Sequence, residues 1–351
     1  MVKRNIDHHN LIYHPKRVTE WLEKGDCFPI YVEIGPTNRC NHKCIFCALD
    51  FIEHKGHNIE KGVMLKTLEN MANNGVLSVM FAGEGEPLLH ENISEFVQYS
   101  KKSGLAVAMT SNGILFDEKK ALECLPYLTW VRFSVDAGTR ENYAKIHRTK
   151  PGDFDKIVRN IKTAADIKRE QNLNANISAQ YLMIPENIGE VLTFSEIMKN
   201  AGADNIQIKP YSQHPNSINK FAVNYEEYVH LEKELEKFNS DRFGVFFRKR
   251  TIKRLEEGIS YKECLGAPFF ALIDSKGDVV PCNLFYDKPE FVYGNLYENS
   301  FSEIWKGDKR KEVLRKLKEK GVEECREICR LDACNKYLAD LGDIPEYARF
   351  I

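Results

Sequence analysis

Three cysteines fall within eight residues, in the stretch Cys40-Asn41-His42-Lys43-Cys44-Ile45-Phe46-Cys47. Soft thiolates hold zinc, copper(I) or iron–sulfur clusters, and a closed structural site takes four ligands. Here the local count stops at three. A four-iron cube held by three thiolates leaves one iron open to a small molecule, and that is the chemistry this spacing offers. The plainer alternatives are a zinc site completed by a distant fourth ligand, or thiols packed as small hydrophobes. A second group of thiols lies far along the chain: Cys264, Cys282, Cys325, Cys329 and Cys334. Cys264 and Cys282 flank an apolar run and the turn signal Asp274-Ser275-Lys276-Gly277, so a hairpin brings them together. Cys325 and Cys329 are four apart, which is one face of a helix if that segment is helical. Four thiolates close one cluster and leave one thiol of the five over. Helical spacing favours Cys329 as the fourth ligand and Cys334 as the surplus thiol. A structural zinc site is the alternative here too. Cys124 reads as core, and Cys27 has no assignment.

Other polar groups stand where apolar runs end. Gly83-Glu84-Gly85-Glu86-Pro87 places a carboxylate between residues that let backbone come close, and such a carboxylate can accept bonds from an ammonium group. Thr110-Ser111-Asn112-Gly113 is a tight turn carrying polar side chains. Ser134 and Asp136 share one face by strand alternation, although Asp136 could instead cap a helix starting near Thr139. Arg148 follows, open either to an anionic ligand or to a surface ion pair. Further on come Gln180, Tyr181, Lys209 and Tyr211.

The elements that must position these groups alternate in type. Short β-rich runs at 31–35, 77–82, 106–110, 130–135, 176–183 and 205–209 are separated by helical periodicity at 64–73, 93–103, 118–125, 153–171 and 188–201. Six β/α units make a parallel sheet with crossover helices. Ligands of such sheets gather at the carboxyl ends of the strands, where each motif above falls. The organisation expected is an N-terminal extension (1–29), an α/β core (30–211), a connector without evident chemistry (212–262) and a C-terminal cysteine-rich domain (263–351). Within the connector, 225–238 reads as one amphipathic helix, followed by a short strand near Val245-Phe246-Phe247.

Composition narrows the function classes. The chain of 351 residues has 50 basic and 51 acidic side chains, so no general attraction to nucleic acid or an anionic membrane follows. The first residues, Met1-Val2-Lys3-Arg4-Asn5-Ile6, lack the apolar core of a signal peptide, and no apolar run is long enough to span a membrane. The expected location is cytoplasmic, where ten cysteines point to metal or redox chemistry rather than disulfides.

The Cys40-x3-Cys44-x-Phe46-Cys47 loop resembles the signature of the radical S-adenosylmethionine (radical SAM) superfamily. The layout after Cys264, with Gly277-x4-Cys282, Gly294-Asn295-Leu296 and Glu303-Ile304-Trp305, resembles the SPASM/twitch domains appended to many such enzymes. The resemblance implies a partial (β/α)6 TIM-like barrel followed by a small α+β iron–sulfur domain. It implies a [4Fe–4S] cluster on Cys40, Cys44 and Cys47, and S-adenosyl-L-methionine (SAM) chelating the open iron. It also implies an auxiliary [4Fe–4S] cluster, and an external one-electron reductant such as flavodoxin or ferredoxin. In that family one electron converts SAM to a 5′-deoxyadenosyl radical that takes a hydrogen atom from the substrate. Gly85 and Glu86 then correspond to the motif that holds the methionine amino group, although the usual consecutive glycines are Glu84-Gly85 here. Asn112, Ser134 and Asp136 become cofactor contacts, and Arg148 a partner of the methionine carboxylate. Cys329 departs by one residue from the usual auxiliary spacing. Expected outcomes are dehydrogenation or epimerisation of a sugar-like or aminocyclitol substrate, with Cys334 as hydrogen donor in the second case. A ribosomal-peptide maturase is the alternative substrate class, and a non-catalytic iron–sulfur scaffold or electron carrier is the alternative of another kind.

Overall fold

Alternation of apolar and mixed residues along the strands gives the sheet two unlike faces. In this computed structural model, which describes residues 9–350, Val32, Ile34, Val79, Phe81, Val107 and Val131 pack outward into the main core with the helices. Their neighbours Tyr31, Met80, Ala108 and Trp130 pack together on the opposite, inner face. The expectation about a signal peptide concerned residues 1–6, which lie outside the described residues.

Six parallel strands fall where the sequence placed them: β1 (Tyr31–Ile34), β2 (Ser78–Phe81), β3 (Ala106–Ser111), β4 (Trp130–Ser134), β5 (Asn176–Met183) and β6 (Asn205–Pro210). The helices around them are α1 (Pro15–Lys24), α2 (Lys61–Asn73), α3 (Ile93–Lys102), α4 (Glu118–Cys124), α5 (Arg140–His147), α6 (Pro151–Glu170) and α7 (Val191–Asn200). Helix α5 begins where the sequence allowed a helix near Thr139, although it does not stand out among the helical periodicities. Its periodicity rests on Tyr143 and Ile146 alone, and the Thr139 hydroxyl caps it by accepting from Asn142 N at 3.3 Å. Asp136 therefore does not serve as that cap.

The segment read as an inert connector contributes to the barrel. After a 3₁₀ turn at Tyr225–Tyr228 and α8 (Leu231–Glu236), strand β7 (Gly244–Phe247) pairs in parallel with β6, and α9 (Lys249–Glu257) follows. The single helix expected over 225–238 is broken in two, with Tyr225, Leu231 and Leu235 buried. The cysteine-rich part is also joined to the sheet. Strand β8 (Phe270–Ile273) pairs in parallel with β1, and β9 (Asp278–Val280) and β10 (Gly294–Asn295) extend it antiparallel. The order is β10-β9-β8-β1-β2-β3-β4-β5-β6-β7. The fold is a partial barrel whose edge strands are β7 and β10. Helices α10 (Phe301–Lys306), α11 (Asp308–Lys320) and α12 (Asp332–Gly342) complete the C-terminal part. A capping box at Ser300 and Glu303 starts α10, which buries Phe301, Ile304 and Trp305. Arg310 of α11 is fully buried, bridging Asp26 at 2.7 Å with its guanidinium stacked 3.8 Å from the Trp305 ring centroid.

Candidate functional site

The loop after β1 carries the first three thiols and is held by neighbours rather than by its own turns. Asn38 Oδ1 accepts from Gly56 N at 3.0 Å and His57 N at 2.8 Å. On the far side, Lys43 N and Ile45 N donate to the carbonyls of His147 and Ile146 at the end of α5. Gly85 fits against this loop with no room to spare. A Cβ there would lie 2.4 Å from the Thr37 carbonyl oxygen and 2.5 Å from that of Arg39. Its smallness thus serves the packing of the β2 loop on the cysteine loop.

Glu86 is 3% exposed and ties three loops together. Its carboxylate accepts from Leu88 N at 3.0 Å, Ser111 Oγ at 2.8 Å and Asn112 N at 2.7 Å. An ionised carboxylate has about four acceptor positions, so one remains for an ammonium group. Burial pushes this carboxyl above its ordinary range, and the three donors oppose that shift. Asn112 continues the chain of contacts to the cysteine loop through Asn41 Oδ1, at 2.6 Å. Glu84, the departure from the usual glycine pair, accepts from Ser275 N of the C-terminal hairpin at 2.9 Å. It is a strut between barrel and cysteine-rich part.

Ser134 is half-buried at the end of β4. Asp136 is fully buried with φ of 56°, a left-handed conformation uncommon outside glycine and found often at functional sites. One carboxylate oxygen accepts from Leu182 N at 2.6 Å and the other has no partner. Burial pushes this carboxyl up to about 7, against the opposing effects of that amide and of Lys209. Arg148 ends α5 in a left-handed cap, exposed. The structure brings Glu86, Asn112 and the thiol loop together, and leaves Arg148 at the surface.

Sequence reasoning missed the groups behind Cys44. His147 Nδ1 lies 3.2 Å from Cys44 Sγ, and its Nε2 lies 2.9 Å from the Val135 carbonyl. Tyr143 stacks on the same imidazole at 4.2 Å, and His42, also buried, has no partner at either nitrogen. One ligand atom each of His42, Cys44 and His147 lies within 4.8 Å of the others, a grouping that could itself hold a metal ion. The i,i+4 relation of Tyr143 and His147 signalled a shared helix face, but only once α5 is known to be a helix.

The C-terminal thiols converge from three segments. Cys264, Cys282, Cys325 and Cys329 all line one cavity of about 730 Å³, which also meets Phe46, Leu182 and Lys209 of the barrel. Cys47 joins Cys264, Cys282 and Cys329 around one apolar cluster of Leu49, Phe270, Leu272 and Tyr286. Burial pushes Cys264 up to about 12 and Cys325 up to about 11, with neighbouring thiols adding to the shift. Thiols so placed ionise only when a cation offsets the cost, as a coordinated metal does. The helix expected to carry Cys325 and Cys329 is absent: 321–330 is a series of turns, and α12 starts only at Asp332. Cys329 is instead placed by turns, accepting at its sulfur from Leu331 N at 3.3 Å. Cys334, in the first turn of α12, packs with Phe269, Leu338 and the α1 residues Val18 and Trp21 rather than lining the cavity. The donor set fits two clusters: three soft ligands beside a carboxylate with spare acceptor capacity, and four soft ligands converging on one space.

Comparison with known proteins agrees with this layout. The family description Radical SAM superfamily matches residues 34–198, and the SPASM iron–sulfur cluster-binding domain matches residues 264–335. A probable GTP 3′,8-cyclase of Saccharolobus islandicus is 28% identical over 210 residues, covering 59% of this chain and 65% of that protein. The antilisterial bacteriocin subtilosin biosynthesis protein AlbA of Bacillus subtilis is 24% identical over 316 residues, covering 87% of this chain and 65% of that one. The chain thus spans about two thirds of the length of these curated relatives. Among solved structures, Streptococcus suis SuiB bound to S-adenosylmethionine superposes with a TM-score of 0.68 over 95% of this chain and 79% of its own, at 16% identity. SuiB has also been solved with its precursor peptide SuiA.

Proposed function

Because the chain is a radical SAM protein with a C-terminal SPASM domain, we propose that it removes a hydrogen atom from a C–H bond of a substrate seated between the barrel mouth and the C-terminal thiols. The observation that carries this reading is the shared apolar cluster: Cys47 of the first thiol group and Cys264, Cys282 and Cys329 of the second pack against the same side chains. When bound, SAM on the three-thiol cluster supplies hydrogen-atom abstraction, and an auxiliary cluster on the other four thiols supplies a one-electron acceptor. The protein's own part is positioning. Glu86 offers its remaining acceptor position to the methionine ammonium, and its bonds to Ser111, Asn112 and Leu88 fix that position. Ser134 keeps the role of cofactor contact. Asp136 sets the end of β5 through Leu182 N and holds a carboxylate oxygen ready below it. Phe46 and Leu182 add apolar surface to the cavity that the C-terminal thiols line.

For the substrate, a peptide is favoured. AlbA, which matches most of this chain, is named for bacteriocin biosynthesis, and SuiB binds a precursor peptide. A small sugar-like substrate is the second reading, and the cavity favours it, since about 730 Å³ is a volume typical of small-molecule sites. Within that reading dehydrogenation suits the site better than epimerisation, because Cys334 lies off the cavity.

The test is anaerobic reconstitution followed by SAM and a reductant, flavodoxin or dithionite. Formation of 5′-deoxyadenosine is expected, and deuterium from labelled peptides or sugars should appear in it only for the correct class. Protein with full iron content that forms no 5′-deoxyadenosine would instead be a non-catalytic iron–sulfur scaffold.

A further inference from the structure

The cavity is walled by cations. Eight of its lining side chains are Lys or Arg and two are Asp or Glu. Four of these eight cations are paired with carboxylates as follows. Arg254 lies 2.8 Å from Asp332, Lys336 reaches the same carboxylate at 3.6 Å, and Lys253 pairs with Glu257 at 3.3 Å. Arg330 pairs with Glu33 on the inner face of β1 and lies over the Phe270 ring. Lys209 and Arg326 have no carboxylate within ion-pair distance among the described residues. Arg326 donates to the Ser212 carbonyl, and its Nε is buried without an acceptor.

Lys209 stands at the carboxyl end of β6, on the inner face, paired in register with Leu182. Two strands away on the same inner face, level with Asn205 of β6, is Arg132 of β4, whose Nε is likewise buried without an acceptor among the described residues and whose guanidinium lies 4.7 Å from the Trp130 ring centroid. Burial and the fields of Arg132 and Arg248 hold the Lys209 ammonium down to about 7, Asp136 opposing and Arg326 adding to the effect. Like charges held out of water are costly; the field of Asp136 offsets part of that cost at Lys209, and an anion among the cations relieves more of it. For Arg326, which neighbours Cys329 and Cys282, thiolates of the auxiliary site supply part of the compensation.

We propose that Lys209, with Arg326 beside it and Arg132 behind it, is the anchor for an oxyanion of the substrate, a carboxylate or a phosphate. The inference rests on the reading that this cavity is the substrate site. It applies equally to an acidic side chain of a peptide and to an anionic small molecule, and it makes a neutral substrate the wrong one to try. Arg326 joins the anchor to the auxiliary thiols, so the anion would sit where the mouth of the barrel meets the C-terminal part.

The experiment measures binding and needs neither SAM nor turnover, so its failure is distinct from a failure of SAM cleavage. The melting temperature of the reconstituted holoprotein is followed by tryptophan fluorescence under anaerobic conditions, at constant ionic strength, in inorganic phosphate, glutarate or chloride. A ligand bound only by the folded state raises the melting temperature with the logarithm of its concentration. That rise is expected for phosphate, glutarate or both, and not for chloride. A response to phosphate alone assigns a phosphate-bearing substrate, and a response to glutarate alone assigns a carboxylate. The response should vanish in Lys209→Met, persist in Lys209→Arg and persist in the surface control Lys66→Gln, with iron content unchanged in all three. Equal behaviour in all three salts, or an undiminished response in a Lys209→Met protein that keeps its iron, overturns the proposal.

Discussion

The two thiol groups solve the same coordination problem in opposite ways. Cys40, Cys44 and Cys47 sit on one continuous loop, so their grouping is guaranteed by chain connectivity. What the fold adds there is support from outside: Asn38 bonded to the 56–57 backbone, Gly85 wedged beneath, and α5 receiving two amides of the loop. Cys264, Cys282, Cys325 and Cys329 come from segments separated by up to tens of residues, and the sheet and the turns after α11 bring them to one cavity. A contiguous site resists errors of packing. A convergent site exists only while β8 stays paired with β1 and the 321–330 turns keep their shape. The difference also separates the roles proposed for them, a three-thiol site with a coordination position open and a four-thiol site without one.

Replacing Cys40, Cys44 and Cys47 together by Ala tests that separation with the largest effect. SAM cleavage should be lost, while the convergent site keeps its metal, so iron should fall to about half if each site holds a cube. Iron and sulfide analysis beside chromatography for 5′-deoxyadenosine reads both. Complete loss of iron from a folded triple variant would mean the two groups are one site.

Within the convergent group, Cys329→Ala should lose the auxiliary iron and Cys334→Ala should keep it, because only Cys329 lines the cavity. Iron content of each variant in the triple-alanine background isolates that site. Loss in both would make Cys334 a ligand and dissolve its assignment as the surplus thiol.

Glu86→Ala should act on the contiguous site alone. Removing a charge-assisted hydrogen bond of about 1.5–3 kcal/mol weakens SAM binding by about tenfold or more. It also orphans the Ser111 hydroxyl and the Asn112 and Leu88 amides, for which a loss of about 1–3 kcal/mol in stability is expected. A SAM titration read by electron paramagnetic resonance gives the first number and thermal unfolding the second. An unchanged titration removes Glu86 from the cofactor site.

The smallest effect concerns the strut between the two regions. Burial, the neighbouring Glu84 and Asp278 push the Asp274 carboxyl up to about 7, and burial raises Glu84 as well. The folded chain therefore holds protons that the unfolded chain releases near the ordinary carboxylate range. That contribution to stability is present at low pH and fades as pH rises towards about 7. Melting temperature against pH should carry this negative slope between about 4 and 7, and Asp274→Asn should flatten it. An unaltered slope in the variant would place the titration elsewhere.

Strand positions were legible because each β-run is short, apolar and bounded by turn residues, and β5 falls at 176–183 as read. In the connector the short strand near 245–247 was legible too, but its place in the sheet was not: all four residues of Gly244–Phe247 are half-buried, and no local pattern announces the pairing with β6. Cys334 was set aside as surplus for a helical reason that fails, because 321–330 does not form a helix. The same choice is supported by Cys329 facing the cavity and Cys334 facing α1.

The sequence by itself determined the three-thiol loop, the carboxylate at Glu86 and the barrel's six central strands, because spacing along a chain is conserved by covalent geometry whatever the packing. Only the tertiary structure decided which four of five distant thiols share a cavity. It also decided that Glu84 spans two regions, that His147 stands behind Cys44, and that Lys209 and Arg132 share the inner face of the sheet. These are meetings across strands and loops, where the side chains involved are far apart in the chain and the cost of burying them is set by neighbours that no local pattern records.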